Sequence, residues 1–206
     1  MNRAILLAAL VVAFGLAGAN VAARAGGSKE DEAFQKRLFG RSLDSKPIHA
    51  CFSRVYDTGH LAQHPQQNVR TMLLLVKGGS DGDGPSYGLR VGVTFRKSSV
   101  HFESAGDCNS IHDNTDADGS AGVAHCGVDC DGGSIDVAIK DAKSVLVSIP
   151  DGARIWRPGN DEGEPGNSRK RFGADDKVFR LDKVALTQCL RLADDNKEKA
   201  MLRRGQ

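Results

Sequence analysis

From Tyr87 to Phe95 the chain alternates without a break. Tyr87, Leu89, Val91, Val93 and Phe95 are apolar, and the residues between them, Gly88, Arg90, Gly92 and Thr94, are small or polar. A period of two sends successive side chains to opposite faces of an extended strand, so one face meets a core and the other meets solvent. The same pattern returns at Ser134–Lys140, with Ile135, Val137 and Ile139 inward, and at Ser144–Ile149, with Val145, Val147 and Ile149 inward. Val69–Val76 reads as a strand with an apolar centre, and Ile48–Val55, Ser99–Glu103 and Lys177–Asp182 as shorter extended pieces. Lys77–Ser86, rich in Gly, Asp and Ser, reads as a loop. Leu186–Leu192 fits either a helix or a strand. No helix lies between the central strands to cover a parallel sheet, so pairing is expected to be antiparallel. The predicted fold class is mainly β: a small antiparallel sandwich or partly open barrel with long, disulfide-stitched loops.

The first 25 residues differ in kind. Arg3 is followed by an apolar run from Ala4 to Leu16, and small residues occupy Ala17-Gly18-Ala19 and Ala23-Arg24-Ala25. This is the layout of a secretory signal peptide, with cleavage expected after Ala25 and Ala19 as the alternative. The run is too short to span a bilayer, which takes about 20 apolar residues. No second run of that length follows, so no integral membrane segment is expected once the signal is removed. The expected organisation is a signal peptide over 1–25, a flexible or short helical arm over 26–47, one β-rich domain over 48–192 and a polar C-terminal tail over 193–206. The size suits a single domain with a core of its own.

Residues 105–133 have little periodicity and much Gly, Asp and Asn, and read as a loop of unusual length. Export makes disulfides the default for Cys51, Cys108, Cys126, Cys130 and Cys189, and an odd count leaves at least one unpaired within the chain. Closing the long segment through Cys108 with Cys126 or Cys130 removes freedom from a stretch that lacks a hydrophobic pattern. Cys51 and Cys189 would then join the two ends of the domain. Zinc on His112, His125 and the thiols is the rival arrangement, weakened by the loose Cys126-x3-Cys130 spacing. Asn114-Thr115-Asp116-Ala117-Asp118-Gly119 has the oxygen ligands and glycine of the first half of a calcium loop. Its twelfth position is His125 rather than a bidentate Glu. Asn114, Asp116 and Asp118 are therefore the candidate metal ligands, calcium is the weaker alternative, and no cofactor is expected.

The chain carries 28 Lys and Arg against 26 Asp and Glu. Arg3 and Arg24 belong to the leader, so the remainder is balanced, which argues against nucleic acid as a partner. The balance is global and not local: no Lys or Arg occurs between Ser98 and Ile139, while Arg169-Lys170-Arg171 and Arg203-Arg204 enrich the C-terminal third. Familiar catalytic patterns are missing. His60 and His64 lack the Glu that a His-Glu-x-x-His metalloprotease needs between them, and there is neither a Gly-x-Ser-x-Gly elbow nor a phosphate-binding loop.

Three segments carry a resemblance: Arg54-Val55-Tyr56-Asp57-Thr58-Gly59-His60-Leu61-Ala62-Gln63-His64-Pro65, Cys126-Gly127-Val128-Asp129-Cys130-Asp131-Gly132-Gly133, and Asp176-Lys177-Val178-Phe179-Arg180-Leu181. Together they resemble an uncharacterised family of small exported alphaproteobacterial proteins, over most of residues 48–192. The resemblance implies export and a single domain and supplies no catalytic residue. The expected function is that of a periplasmic or extracellular envelope domain binding a small molecule, a glycan or a partner protein. The alternative is a small secreted hydrolase that uses Asp and His, with His125, Asp129 and Asp131 as candidates.

Overall fold

The computed structural model describes residues 29–81, 84–112, 122–128, 131–158 and 171–206. Eight strands follow one another in the chain and in space: β1 (Ile48–Val55), β2 (Val69–Asp81), β3 (Gly84–Phe95), β4 (His101–His112), β5 (Val123–Val128), β6 (Ser134–Asp141), β7 (Ser144–Ser148) and β8 (Val178–Val184). Each pairs antiparallel with the next. β8 returns to β1 through Cys51↔Val184, Phe52↔Lys183 and Ser53↔Asp182, which closes the sheet into a barrel. An even number of strands lets an up-and-down barrel close with every pair antiparallel, and closure removes the sheet edges. The mainly β, antiparallel expectation holds, and the barrel is fully closed.

The alternation seen in the sequence points inward. Phe52, Met72, Leu74, Val91, Val93, Phe102, Ile135, Val137, Val147, Phe179 and Leu181 are all buried in one continuous cluster. An eight-stranded barrel is just wide enough for side chains to fill it. Residues 105–133, expected to be a loop, hold the upper part of β4 and all of β5. Apart from Val128, their described inward positions are small: Gly106, Cys108, Ala124 and Cys126. Composition of that kind reads as loop, yet Cys108 and Cys126 face each other in register, and their disulfide stands where bulky side chains would otherwise pack. Below Gly106, β4 outruns β5. There Glu103 exchanges both backbone hydrogen bonds with Trp156 instead, at 2.8 and 2.9 Å.

Helix α1 (Lys29–Phe39) stops one end of the barrel. Phe34, Gln35 and Leu38 fall on one helical face and are buried against the strand ends. Gln35 donates to the Tyr87 hydroxyl at 2.9 Å, and burial pushes that phenol up to about 12. Lys183 donates to the Leu38 carbonyl at 2.8 Å, its own ammonium pulled down by burial. Gly40, at φ 85°, ends the helix in the left-handed conformation that glycine tolerates. The other end is closed by α2 (Thr58–Gln63), Ala153–Ile155 and the segment around Asp176. The buried Asp176 carboxylate accepts from the backbone of Gly173, Asn68 and Val69.

The C-terminal segment forms a strap over the outer face of β1–β3. It consists of a 3₁₀ helix (Leu186–Leu192) and α3 (Asn196–Arg204). Cys189 is bonded to Cys51, and Leu192 and Leu202 are buried with Leu75 in a second apolar cluster. Asp195 caps α3 by accepting from Glu198 N–H at 2.7 Å.

Candidate outer-face binding site

The barrel interior is packed, so a candidate site has to be sought on the surface. On β2, β3 and β4 the outward positions are those between the core residues: Leu75 and Lys77; Gly88, Arg90 and Gly92; His101, Glu103, Ala105 and Asp107. The strap covers the lower part of this face. Leu192 and His101 lie over Gly92 so closely that a Cβ there would sit 3.0 and 2.5 Å from them. Where the strap turns at Asp194, the sheet surface opens into a cleft of about 280 Å³ lined by Leu75, Lys77, Arg90, Asp107, Asp194 and Glu198. A second hollow, about 350 Å³, shares Lys77, Gly88 and Asp107 with the first and runs on towards Ser45 and Ser86.

Register sets the chemistry of this cleft. Lys77 pairs with Gly88, and Gly88 pairs with Asp107, so the three stand in one row across the sheet. Neighbouring strands lie about 4.8 Å apart, which holds the Lys77 and Asp107 backbones about 10 Å from each other with bare glycine between them. No ion pair joins the two among the described residues. A cation and an anion thus flank a floor that has no side chain. Arg90 is fixed below them: it pairs with Asp194 on the strap and lies 3.9 Å from Glu103, a carboxylate only 5% exposed that also meets His101 Nε2 at 3.1 Å. On the strap side, Glu198 Oε1 is 2.9 Å from His49 Nε2, and Glu198 Oε2 accepts from Asp194 N–H at 2.7 Å. The His49 hydrogen bond holds the Glu198 carboxyl below its ordinary value of 4.5 against the opposing effect of burial. The charge on Lys77 acts in the same direction. Among the described residues that line the first cleft there is no Ser, Thr, Cys or His. The cleft offers ammonium and guanidinium donors, carboxylate acceptors and exposed backbone, groups that can hydrogen-bond a small polar molecule.

Comparison with protein-family models, curated proteins and solved structures finds no match for this chain.

The residues singled out in the sequence have mixed fates. Cys51–Cys189 and Cys108–Cys126 are disulfides, with Cα separations of 6.0 and 3.8 Å. Asn114, Asp116, Asp118, Asp129 and Cys130 lie outside the described residues. Among the described residues no group of three or more His, Cys, Asp or Glu side chains is placed to hold a metal ion. His60 and His64 stack at 4.4 Å between ring centroids, and His60 Nε2 is occupied by Gln67 Oε1. His125 is half exposed, with Nδ1 hydrogen-bonded to Asp136 Oδ1 across β5–β6. Asp131 occupies a turn at φ 56°. Sequence reasoning missed Lys77 and Asp107, because both fall in stretches read as loop. Gly88 and Gly92, glycines inside an otherwise strong strand, were the available signal of close approach on the outer face.

Proposed function

We propose that the protein is an exported envelope or periplasmic domain that binds a small polar molecule or a glycan in the cleft between α3 and β2–β4. The observation that supports this reading is the contrast between a barrel interior filled with side chains and an outer cleft that sets Lys77 and Asp107 on either side of Gly88. Export is supported by the leader and by the resemblance to exported proteins, and two disulfides fit an oxidising compartment. No helix among the described residues is long and apolar enough to cross a membrane.

Titration of the isotope-labelled domain with panels of zwitterions and short glycans, followed by amide NMR, tests the reading. Shifts are expected at residues 75–77, 88–90 and 105–107, and Lys77→Ala and Asp107→Ala are each expected to weaken binding about tenfold, as loss of a charge-assisted hydrogen bond implies. Shifts confined to other strands would place the site elsewhere.

The second reading is a secreted hydrolase. It is favoured by the His125–Asp136 pair, in which Nδ1 is held by the carboxylate and Nε2 has no hydrogen-bond partner among the described residues. An activity screen in which His125→Ala and Asp136→Asn abolish turnover would move this reading ahead of the first.

A further inference from the structure

Lys77 and Asp107 are the exposed charges of the outer cleft, and neither side chain has a hydrogen-bond or ion-pair partner among the described residues. The other charged groups that line the cleft are engaged. Arg90 pairs with Asp194, and Glu198 bonds His49 and the Asp194 N–H. All of them keep their charges. The lining therefore carries two cations, Lys77 and Arg90, against three carboxylates, Asp107, Asp194 and Glu198. The adjoining hollow adds hydroxyl groups and no further charge. An excess of carboxylates disfavours a simple anion. A simple cation would meet Asp107 and leave Lys77 facing it with like charge. A molecule with one charge of each sign satisfies both side chains.

The row Lys77–Gly88–Asp107 sets how far apart those charges stand. Its outer backbones are about 10 Å apart, and both side chains leave the sheet on the same face. A charge-assisted hydrogen bond takes up about 2.8 Å at each end. With each charged end above its own strand, about 4 Å remains for the two charges of the ligand. Asp107 Oδ1 lies 3.5 Å from the position of a Gly88 Cβ, so the carboxylate leans over the glycine and narrows the gap. In an α-amino acid the ammonium nitrogen and the carboxylate oxygens are about 3 Å apart, because only the N–Cα and Cα–C bonds separate the two groups. Resting on the reading of this cleft as the binding site, we propose that its ligand is a free α-amino acid. The zwitterion sets its ammonium on Asp107, its carboxylate on Lys77 and its Cα over the bare backbone of Gly88. Its side chain runs into the strap-side hollow over Leu75 and Ala105.

The isotope-labelled protein is titrated with the common L-amino acids one at a time, and then with the N-acetyl and C-amide derivatives of the tightest binder. Amide shifts are expected at residues 77, 88 and 107. Each derivative lacks one of the two charges and should bind about tenfold more weakly or worse. Gly88→Val raises the floor of the cleft and should abolish binding, while a β-branched residue in a strand keeps the thermal unfolding midpoint at or above that of the wild type. Equal binding of the amino acid and both derivatives overturns the proposal, as does a folded Gly88→Val protein that binds as tightly as the wild type. Shifts at residues 75–77, 88–90 and 105–107 with short glycans and none with amino acids overturn it and leave the cleft as the binding site. Absence of shifts in the cleft with any of these ligands overturns both readings.

Discussion

Glu198 reaches from α3 to two partners at once, the His49 ring on β1 and the Asp194 amide at the turn of the strap, and His49 Nδ1 reaches on to the Gln206 backbone oxygen at 2.9 Å. The His49 side chain is fully buried and that of Glu198 nearly so. A buried carboxylate is tolerable only when donors surround it, and here the donors hold its pKa below the ordinary value. The sign of the consequence follows. A carboxyl whose folded pKa is depressed adds stability above its unfolded value, and that stability is lost as the pH falls through the folded one. Glu198→Gln is expected to cost about 1–3 kcal/mol at neutral pH, because one of the two donors is left facing an amide NH₂. The gap between wild type and variant should narrow as the pH drops below 4.5, the ordinary glutamate value. Urea unfolding of both proteins across that range measures it, and a gap independent of pH would show that the carboxylate charge does not hold the strap.

The two disulfides join elements in different ways. Cys51–Cys189 ties β1 to the strap across 138 residues, whereas Cys108–Cys126 bridges adjacent strands across 18. If each acts by restricting the unfolded chain, the first is worth about 5 kcal/mol and the second about 3 kcal/mol. In a Cys130→Ser background that prevents exchange, Cys51→Ser with Cys189→Ser should destabilise more than Cys108→Ser with Cys126→Ser. The reverse order in urea unfolding would mean that packing between β4 and β5, rather than loop length, sets the contribution. The elements were legible in the sequence where the barrel interior is filled by branched or aromatic side chains: β3, β6 and β7 show the pattern directly. They were not legible where backbone pairing alone continues a strand. β2 runs on to Asp81 and β3 begins at Gly84, because the two-stranded ribbon of Gly79–Asp81 with Gly84–Ser86 needs only its ladder, yet Gly, Ser and Asp there carry turn chemistry. β5 was hidden by small inward residues, Ala124 and Cys126, which a disulfide makes sufficient. The cleft inherited both difficulties: Lys77 lies where β2 runs up to that ribbon and Asp107 in the concealed half of β4, and only register across Gly88 brings them into one row.

At the scale of the whole molecule, closure is what periodicity could not foretell, since β1 meets β8 through pairs such as Cys51↔Val184 that are distant in the chain. Once the cylinder is shut, its ends must be stopped, and the α1 end depends on one position without a side chain. Gly78 points into the mouth of the barrel beneath Phe39 and Leu43, where a Cβ would lie 2.9 Å from the Phe39 ring and 2.8 Å from Leu43 Cδ2. Both are side-chain ends, so Gly78→Ala can be absorbed by small rotations, at a cost of about 1 kcal/mol. Gly78→Val adds two further methyl carbons to a mouth already occupied, and the strand, hydrogen-bonded on both sides through Ile48 and Tyr87, cannot retreat. The plug is expected to give way instead. Phe34 and Leu38, fully buried in the native protein, would leave the barrel, forfeiting about 1.5–3 kcal/mol each. The expected signature is binding of an apolar fluorescent dye together with rapid proteolysis between Arg41 and Pro47. Trp156, the single tryptophan, pairs with β4 at the opposite end, and its emission should stay native. Dye binding accompanied by a red-shifted Trp156 would show that the barrel does not outlast its plug, and that α1 belongs to the same cooperative unit as the strands it covers.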